Sequence, residues 1–216
     1  MPVDDRTFTA MTTEHFALVG ARSQAASESS TRSALYLGAV SSTLVGLGLT
    51  AQVSARGTTF RIFALVALPT LFVLGMFTFA RLVELGAEDF LLGRAINRIR
   101  NYYIEQAGDA RPYFLLTGYD DHFGVMANMA LSASAGWQLY LTAAVGVAVV
   151  NAVVGGSAVA LAVAVVTGAA LGIDVAAGGL FALAALLGHL RFQAVSHEAG
   201  GSDADVLFAT PPEAQR

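Results

Sequence analysis

The chain has 216 residues, of which 55% are hydrophobic and 13% charged, and its mean hydropathy is +0.61. Soluble domains carry roughly 25% charged residues, so this composition excludes an ordinary water-soluble domain and indicates an integral membrane protein. The chain has no cysteine, which excludes disulfides and thiol chemistry. Its net charge of −4, without a basic run, gives no reason to expect a nucleic-acid partner.

Residues 1–33 form a polar N-terminal segment with charges of both signs. Thr12, followed by Thr13 and Glu14, predicts the capped start of a juxtamembrane helix. This segment is too long and too acidic for the leader of a secretory signal, so the apolar run that follows is read as a membrane crossing. Residues 34–80 then supply two apolar runs with a short loop between them, which predicts a transmembrane hairpin. Pro69, inside the second run, predicts a packing kink rather than a gating hinge.

Residues 81–135 read as a cytoplasmic amphipathic stalk followed by a short helix that leads back to the membrane. Arg94 and Arg98 lie on the polar face of the stalk. They could bind lipid phosphates or another anion, but acidic residues precede them closely in sequence. We therefore expect internal ion pairs, with Glu84, Glu88 and Asp89 as the candidate partners.

Residues 136–193 form the longest apolar stretch, and its only acidic side chain is Asp174. The stretch is too long for one crossing of about 20 residues, so it predicts a second transmembrane hairpin. Small residues recur every four positions along its first helix, which predicts close packing against another helix; they include Ala144, Ala148, Ala152 and Gly156. A fifth crossing is the alternative if Gly155-Gly156 forms a turn. Residues 194–216 predict a disordered tail.

The arginines give the predicted orientation. With four crossings, the N-terminal segment, the 81–135 segment and the chain from Arg191 onward lie on one side, and they hold ten of the twelve arginines. The positive-inside rule places that side in the cytoplasm. We therefore expect a multi-pass protein of the bacterial inner membrane with both termini in the cytoplasm.

The two halves of the chain share a pattern that favours an internal duplication. Glu14-His15-Phe16 resembles Asp121-His122-Phe123, and Leu35-Tyr36-Leu37 resembles Leu139-Tyr140-Leu141. A tandem repeat of juxtamembrane helix and hairpin would relate the halves by an axis along the membrane normal. It would also place His15 and His122 at equivalent positions.

The candidate functional residues are few. His15 and His122, with Asp120 and Asp121, could hold a divalent metal, but no ligand spacing fixes such a site, so we assign no metal and no other cofactor. Asn151 lies inside the bilayer, where polar side chains more often pair with other helices than line a pore. Asp174 is expected at the outer interface, and His189 is expected to reach toward the inner interface. No nucleophile motif, catalytic carboxylate pair or phosphate loop is present, so we predict no enzymatic activity.

Three sequence patterns carry a family resemblance: T-T-E-H-F at 12–16, L-Y-L-G-A-V-S-S at 35–42 and I-N-R-I-R-x-Y-Y at 96–103. On these the chain resembles a group of small four-span membrane proteins of high-GC bacteria, over residues 12 to about 193. The resemblance implies the four-span fold, and it implies no activity, cofactor or site residue.

The sequence thus predicts an all-α membrane protein with four transmembrane helices in two tandem hairpins plus cytoplasmic amphipathic helices. Four helices make a thin bundle, so we expect a homo-oligomer in the bilayer. The favoured function is a non-enzymatic scaffold or sensor whose cytoplasmic layer binds a protein partner. The alternative is an oligomeric channel or small-solute transporter, for which Pro69 and Asn151 are the candidate residues.

Overall fold

A computed structural model describes residues 5–53, 57–129, 142–168, 171–200 and 205–215. Within these ranges the regular structure is entirely helical, and four helices are long and apolar enough to cross a membrane. The prediction of an all-α protein with four such helices is confirmed. The helices run as follows: α1 Asp5–Val53, α2 Thr58–Gln106, α3 His122–Asn128, α4 Ala143–Thr167 and α5 Leu171–Gly200. Short 3₁₀ turns span Gly108–Tyr113 and Pro212–Gln215.

The chain divides into two compact units. Unit 1 comprises Met1–Glu28, Glu84–Tyr140 and Ser196–Arg216, and unit 2 comprises Ser29–Val83 and Leu141–Val195. Unit 1 therefore contains the start of α1, the end of α2, α3 and the chain from Ser196 onward. Unit 2 takes the apolar parts of α1, α2, α4 and α5.

The first helix begins earlier than the sequence predicts. Thr12 and Thr13 lie inside α1, where their hydroxyls donate to the carbonyls of Phe8 and Thr9 at 2.9 Å. A threonine used in this way does not cap a helix start. Residues before and within the first predicted crossing thus belong to one unbroken helix.

The small-residue face of α4 is a packing surface, as predicted. Ala144, Ala148, Ala152 and Gly156 are all buried. A Cβ added to Gly156 would lie 2.6 Å from the carbonyl oxygen of Gly178 on α5, so the two helices approach with almost no side chain between them. Because α4 continues unbroken through Gly155-Gly156, the alternative with a turn at this position is wrong. Gly168, in the left-handed region with φ 57°, ends the helix instead.

The C-terminal part of the chain differs from the disordered tail that its composition predicts. Helix α5 continues to Gly200. Residues 205–210 are then held by hydrogen bonds to side chains of the α2–α3 connection, almost 90 positions earlier in the chain.

Candidate functional site

The best-defined polar site of unit 1 binds the chain's own C-terminal segment. We call residues 205–210 the C-terminal segment, and the side chains of Asp120, Asp121 and Arg98 that hold it the tail site. The Asp120 carboxylate is fully buried and accepts the backbone N–H of Phe208 at 2.7 Å and that of Leu207 at 3.1 Å. The backbone N–H of Asp120 in turn donates to the carbonyl of Phe208 at 3.0 Å. This two-way pairing resembles the addition of a short extended segment to an exposed backbone.

Asp121 binds the next part of the C-terminal segment, at Thr210. Its Oδ2 accepts the backbone N–H of Thr210 at 2.7 Å, and its Oδ1 accepts the Thr210 hydroxyl at 2.6 Å. Oδ1 also accepts the N–H of Gly124 at 2.8 Å, which makes Asp121 the N-cap of α3. One carboxylate therefore fixes both the start of a helix and the end of the bound segment.

Two arginines of the stalk, Arg94 and Arg98, contact Asp120 in the tail site. Arg98 Nε contacts Asp120 Oδ2 at 2.6 Å, and its Nη2 donates to the carbonyl of Asp205. Arg94 is buried, and its Nε donates to the carbonyl of Asp120 at 3.0 Å. Asp89, an expected partner of these arginines, instead pairs with Arg22 at 2.7 Å. Arg98 thus lies in an internal ion pair, as expected, but its partner is Asp120 and not an acidic residue that precedes it in the sequence, because the α2–α3 connection folds back onto the stalk.

An amide network fixes that connection. Asn97 Nδ2 donates to the carbonyl of Tyr119 at 2.7 Å, and Asn128 Nδ2 donates to Asn97 Oδ1 at 2.8 Å. The Asn128 oxygen accepts the backbone N–H of Thr117 at 2.9 Å. Gly118 lies against the backbone of Asn101, where an added Cβ would come within 2.7 Å, so only glycine fits there. These contacts hold Asp120 and Asp121 in place for the C-terminal segment.

The hydrogen bonds of the tail site favour the ionised form of the Asp120 carboxyl group. Burial by itself raises the pKa of the Asp120 carboxyl group. The hydrogen bonds from the Phe208 N–H, from Arg98 and from the Leu207 N–H outweigh burial and hold that pKa below its ordinary value. Asp120 is therefore an anion at neutral pH, and the bound segment contributes two of the donors that keep it ionised.

The two histidines do not join this site. His15 lies within the N-terminal third of α1, half-buried, with its ring 5.9 Å from that of Tyr103. Burial first, and Arg100 second, lower the pKa of His15. His122 is instead the exposed first residue of α3, 5.7 Å from the Phe90 ring, so the expected equivalence of His15 and His122 is wrong. Within the described residues, no group of three or more His, Asp or Glu side chains is placed to hold a metal ion.

Unit 2 contains a second polar cluster, made of Tyr36, Asn151 and His189, which we call the polar core. Their exposed fractions are 2%, 0% and 5%. The Tyr36 hydroxyl donates to Asn151 Oδ1 at 3.0 Å, and Asn151 Nδ2 lies 3.4 Å from His189 Nε2. His189 does not reach toward the interface as expected, because its Nδ1 is bonded to the carbonyl of Ala185 at 2.6 Å and its ring packs 4.5 Å from that of Phe79. Asp174, expected at the outer interface, is also buried.

Gly75 makes room for the polar core. A Cβ at this position would overlap Asn151 Oδ1 and lie 2.7 Å from the Tyr36 hydroxyl. Together with Gly75, the polar core therefore draws one residue from each of the four membrane-length helices. Asn151 is the member whose pairing with other helices is predictable from the sequence. Tyr36 and Gly75 are missed, since Tyr36 stands out in the sequence only as a repeat marker and Gly75 only as a helix glycine.

The other sequence candidates are placed as follows. Pro69 lies inside α2 with its side chain exposed, and the helix continues through it. Ser41 and Ser42, hydroxyl residues within the apolar part of α1, donate to carbonyls of their own helix at 2.8 and 2.9 Å and not to Asn151. Leu139-Tyr140-Leu141, half of the proposed repeat signature, lies outside the described residues.

Comparison with protein-family models, with curated proteins and with solved structures finds no match. The function must therefore be inferred from the tail site and the polar core themselves.

Proposed function

We propose that the protein is a non-enzymatic membrane scaffold or sensor whose unit 1 lies in the cytoplasm and binds extended polypeptide segments at the tail site. The observation that carries this proposal is the occupied state of the site: three backbone N–H groups and one hydroxyl of the C-terminal segment donate to two adjacent carboxylates. Main-chain hydrogen bonds of this kind supply affinity for an extended segment, and the side chains between them supply specificity.

The donors define what the site would recognise. Asp120 takes the N–H groups of two adjacent residues, here Leu207 and Phe208, and Asp121 takes the N–H and the hydroxyl of Thr210 two positions later. A partner segment would need free N–H groups on two adjacent residues followed, after one residue, by threonine or serine; the exposed side chains of Leu207 and Phe208 put no requirement on the first two. Such a segment would compete with the C-terminal segment, and release of that segment would be the signal that a partner has bound.

The surroundings of Asn151 and Pro69 in unit 2 favour this proposal over a channel. Asn151, the candidate pore residue, has no exposed surface, and both ends of its amide face side chains of other helices. Pro69, the second residue behind the channel hypothesis, points away from the core of unit 2. Both placements suit a helix bundle held together by an internal polar bridge.

The test uses the full chain in nanodiscs and a fluorescent peptide that spans residues 205–213. In the release variant Phe208→Pro with Thr210→Val, the C-terminal segment loses two donors to the site. We expect the release variant to bind the peptide, the wild type to bind it much more weakly, and Asp120→Asn in the release background to weaken binding about 30-fold. Glu213→Ala, an exposed tail substitution, is the matched control and should behave as wild type. A release variant that does not bind the peptide would refute the proposal.

A further inference from the structure

Thr210 is the residue that the tail site encloses most completely. It is the only buried residue among residues 205–213, with 7% of its surface exposed. Its hydroxyl donates to Asp121 Oδ1 at 2.6 Å, and its backbone N–H donates to Asp121 Oδ2 at 2.7 Å. Because an ionised carboxylate only accepts hydrogen bonds, the hydroxyl proton is what makes the first of these contacts attractive. A negatively charged group in place of that proton would turn the contact into a repulsion.

The sequence after Thr210 distinguishes its hydroxyl from the others in the chain. Thr210 is followed by Pro211, and this is the only serine–proline or threonine–proline step in the 216 residues. A proline restricts the residue before it to extended backbone, and residues 209–211 have no helical structure. Once released, Thr210 therefore lies in an exposed, extended segment near the end of the chain, which is the kind of backbone that the cleft of another protein binds.

The charges of the tail site are already balanced in the bound state. Asp120 and Asp121 supply two negative charges, and Arg98 and Arg94, which both contact Asp120, supply two positive charges. A phosphate on Thr210 would add about −1.5 to −2 charges at pH 7. Solvent would screen little of this charge, because the exposed fractions of Asp120 and Asp121 are 0% and 8%. The bound state thus accepts threonine at this position and excludes phosphothreonine.

We propose that Thr210 is a phosphorylation site, and that phosphate on its hydroxyl keeps the C-terminal segment out of the tail site. This inference rests on the proposed function, since a bound partner is what releases the segment and exposes Thr210. The enzyme is a protein kinase that accepts threonine followed by proline, and its co-substrate is ATP. The Thr210 Oγ bonds to the γ-phosphorus of ATP, the bond from that phosphorus to ADP breaks, and the hydroxyl proton passes to solvent. The segment then stays released after the partner has left, until a phosphatase hydrolyses the ester.

The first test incorporates phosphothreonine at position 210 of the full chain during translation. Amide hydrogen exchange at residues 207 and 208 is then measured in nanodiscs. We expect protection of these amides to fall about 100-fold or more, because like charges meet in a buried site, and we expect treatment with a phosphatase to restore it. Phosphothreonine at position 9, an exposed threonine of α1, is the matched control and should leave protection unchanged.

Unchanged protection with phosphate at position 210 would overturn this inference. The proposed function is judged separately, by whether the release variant binds the unmodified peptide, so the two can fail independently.

The second test asks whether cells make the modification. Asp120→Asn weakens the hold on the C-terminal segment and so exposes Thr210 more often. In the chain purified from its native cells, mass spectrometry should find phosphate on Thr210 at a higher fraction in Asp120→Asn than in the wild type. Pro211→Ala in the Asp120→Asn background should remove it, because the kinase requires the proline. Complete absence of phosphate on Thr210 in Asp120→Asn would also overturn the proposal.

Discussion

Asp120→Asn is the most informative single change in the tail site, because it keeps the shape of the side chain and removes its charge. The amide oxygen can still accept from the N–H groups of Leu207 and Phe208, but the amide nitrogen would face Arg98 Nε, donor against donor. A hydrogen bond to a charged group contributes about 1.5–3 kcal/mol. Arg98 is 35% exposed, so solvent screens part of this interaction and we take about 2 kcal/mol.

That magnitude corresponds to a shift of about 30-fold in the equilibrium between the bound and released C-terminal segment. Amide hydrogen exchange at residues 207, 208 and 210 reports this local opening directly. We expect protection of these amides to fall about 30-fold in Asp120→Asn, while protection of α4 stays at the wild-type level. Asp109→Asn removes an exposed carboxylate outside the site, and it should leave amide protection unchanged both in the C-terminal segment and in α4.

Phe208→Pro provides an independent variant from the other side of the contact. It removes the N–H that donates to Asp120 at 2.7 Å and leaves unit 1 otherwise intact. It should expose the amides of residues 207 and 210 to a similar degree. Unchanged protection in both variants would show that the carboxylates do not hold the C-terminal segment.

Four further predictions concern other parts of the molecule. Gly75→Ala should destabilise the protein in detergent by about 1–3 kcal/mol, because its methyl group overlaps the polar core, whereas Gly146→Ala should be neutral; equal thermal unfolding of the two variants would contradict the packing described here. Asn151→Leu should cost about 1–2 kcal/mol in the same assay through two lost interhelical hydrogen bonds, and in liposomes it would abolish solute flux only if the channel alternative were correct. Because the pKa of Asp120 is lowered in the bound state, binding of the C-terminal segment should be constant above the ordinary carboxyl pKa and weaken as pH falls through the lowered value; a label on the segment that reported release between pH 5 and 8 would count against this. Cross-linking in native membranes should recover oligomers, and recovery of monomer alone would contradict the predicted homo-oligomer.

Part of this protein could be predicted from its sequence because the bilayer imposes simple rules. A helix that crosses a membrane needs about 20 apolar residues and satisfies its own backbone, so the four apolar helices follow from composition alone. The small-residue row of α4 predicts its packing face for the same reason, since close approach requires small side chains.

Only the tertiary structure decided where the polar groups go. Asn151 meets Tyr36 from 115 positions earlier in the chain, and Asp120 meets Phe208 from 88 positions later. No local pattern encodes such pairs, because a hydrogen bond depends on the positions of two atoms and not on the polarity of the surrounding sequence. A polar tail with one short apolar run has the composition of a disordered segment. Residues 205–210 are nevertheless held in place, because two buried carboxylates accept the N–H groups of residues 207, 208 and 210.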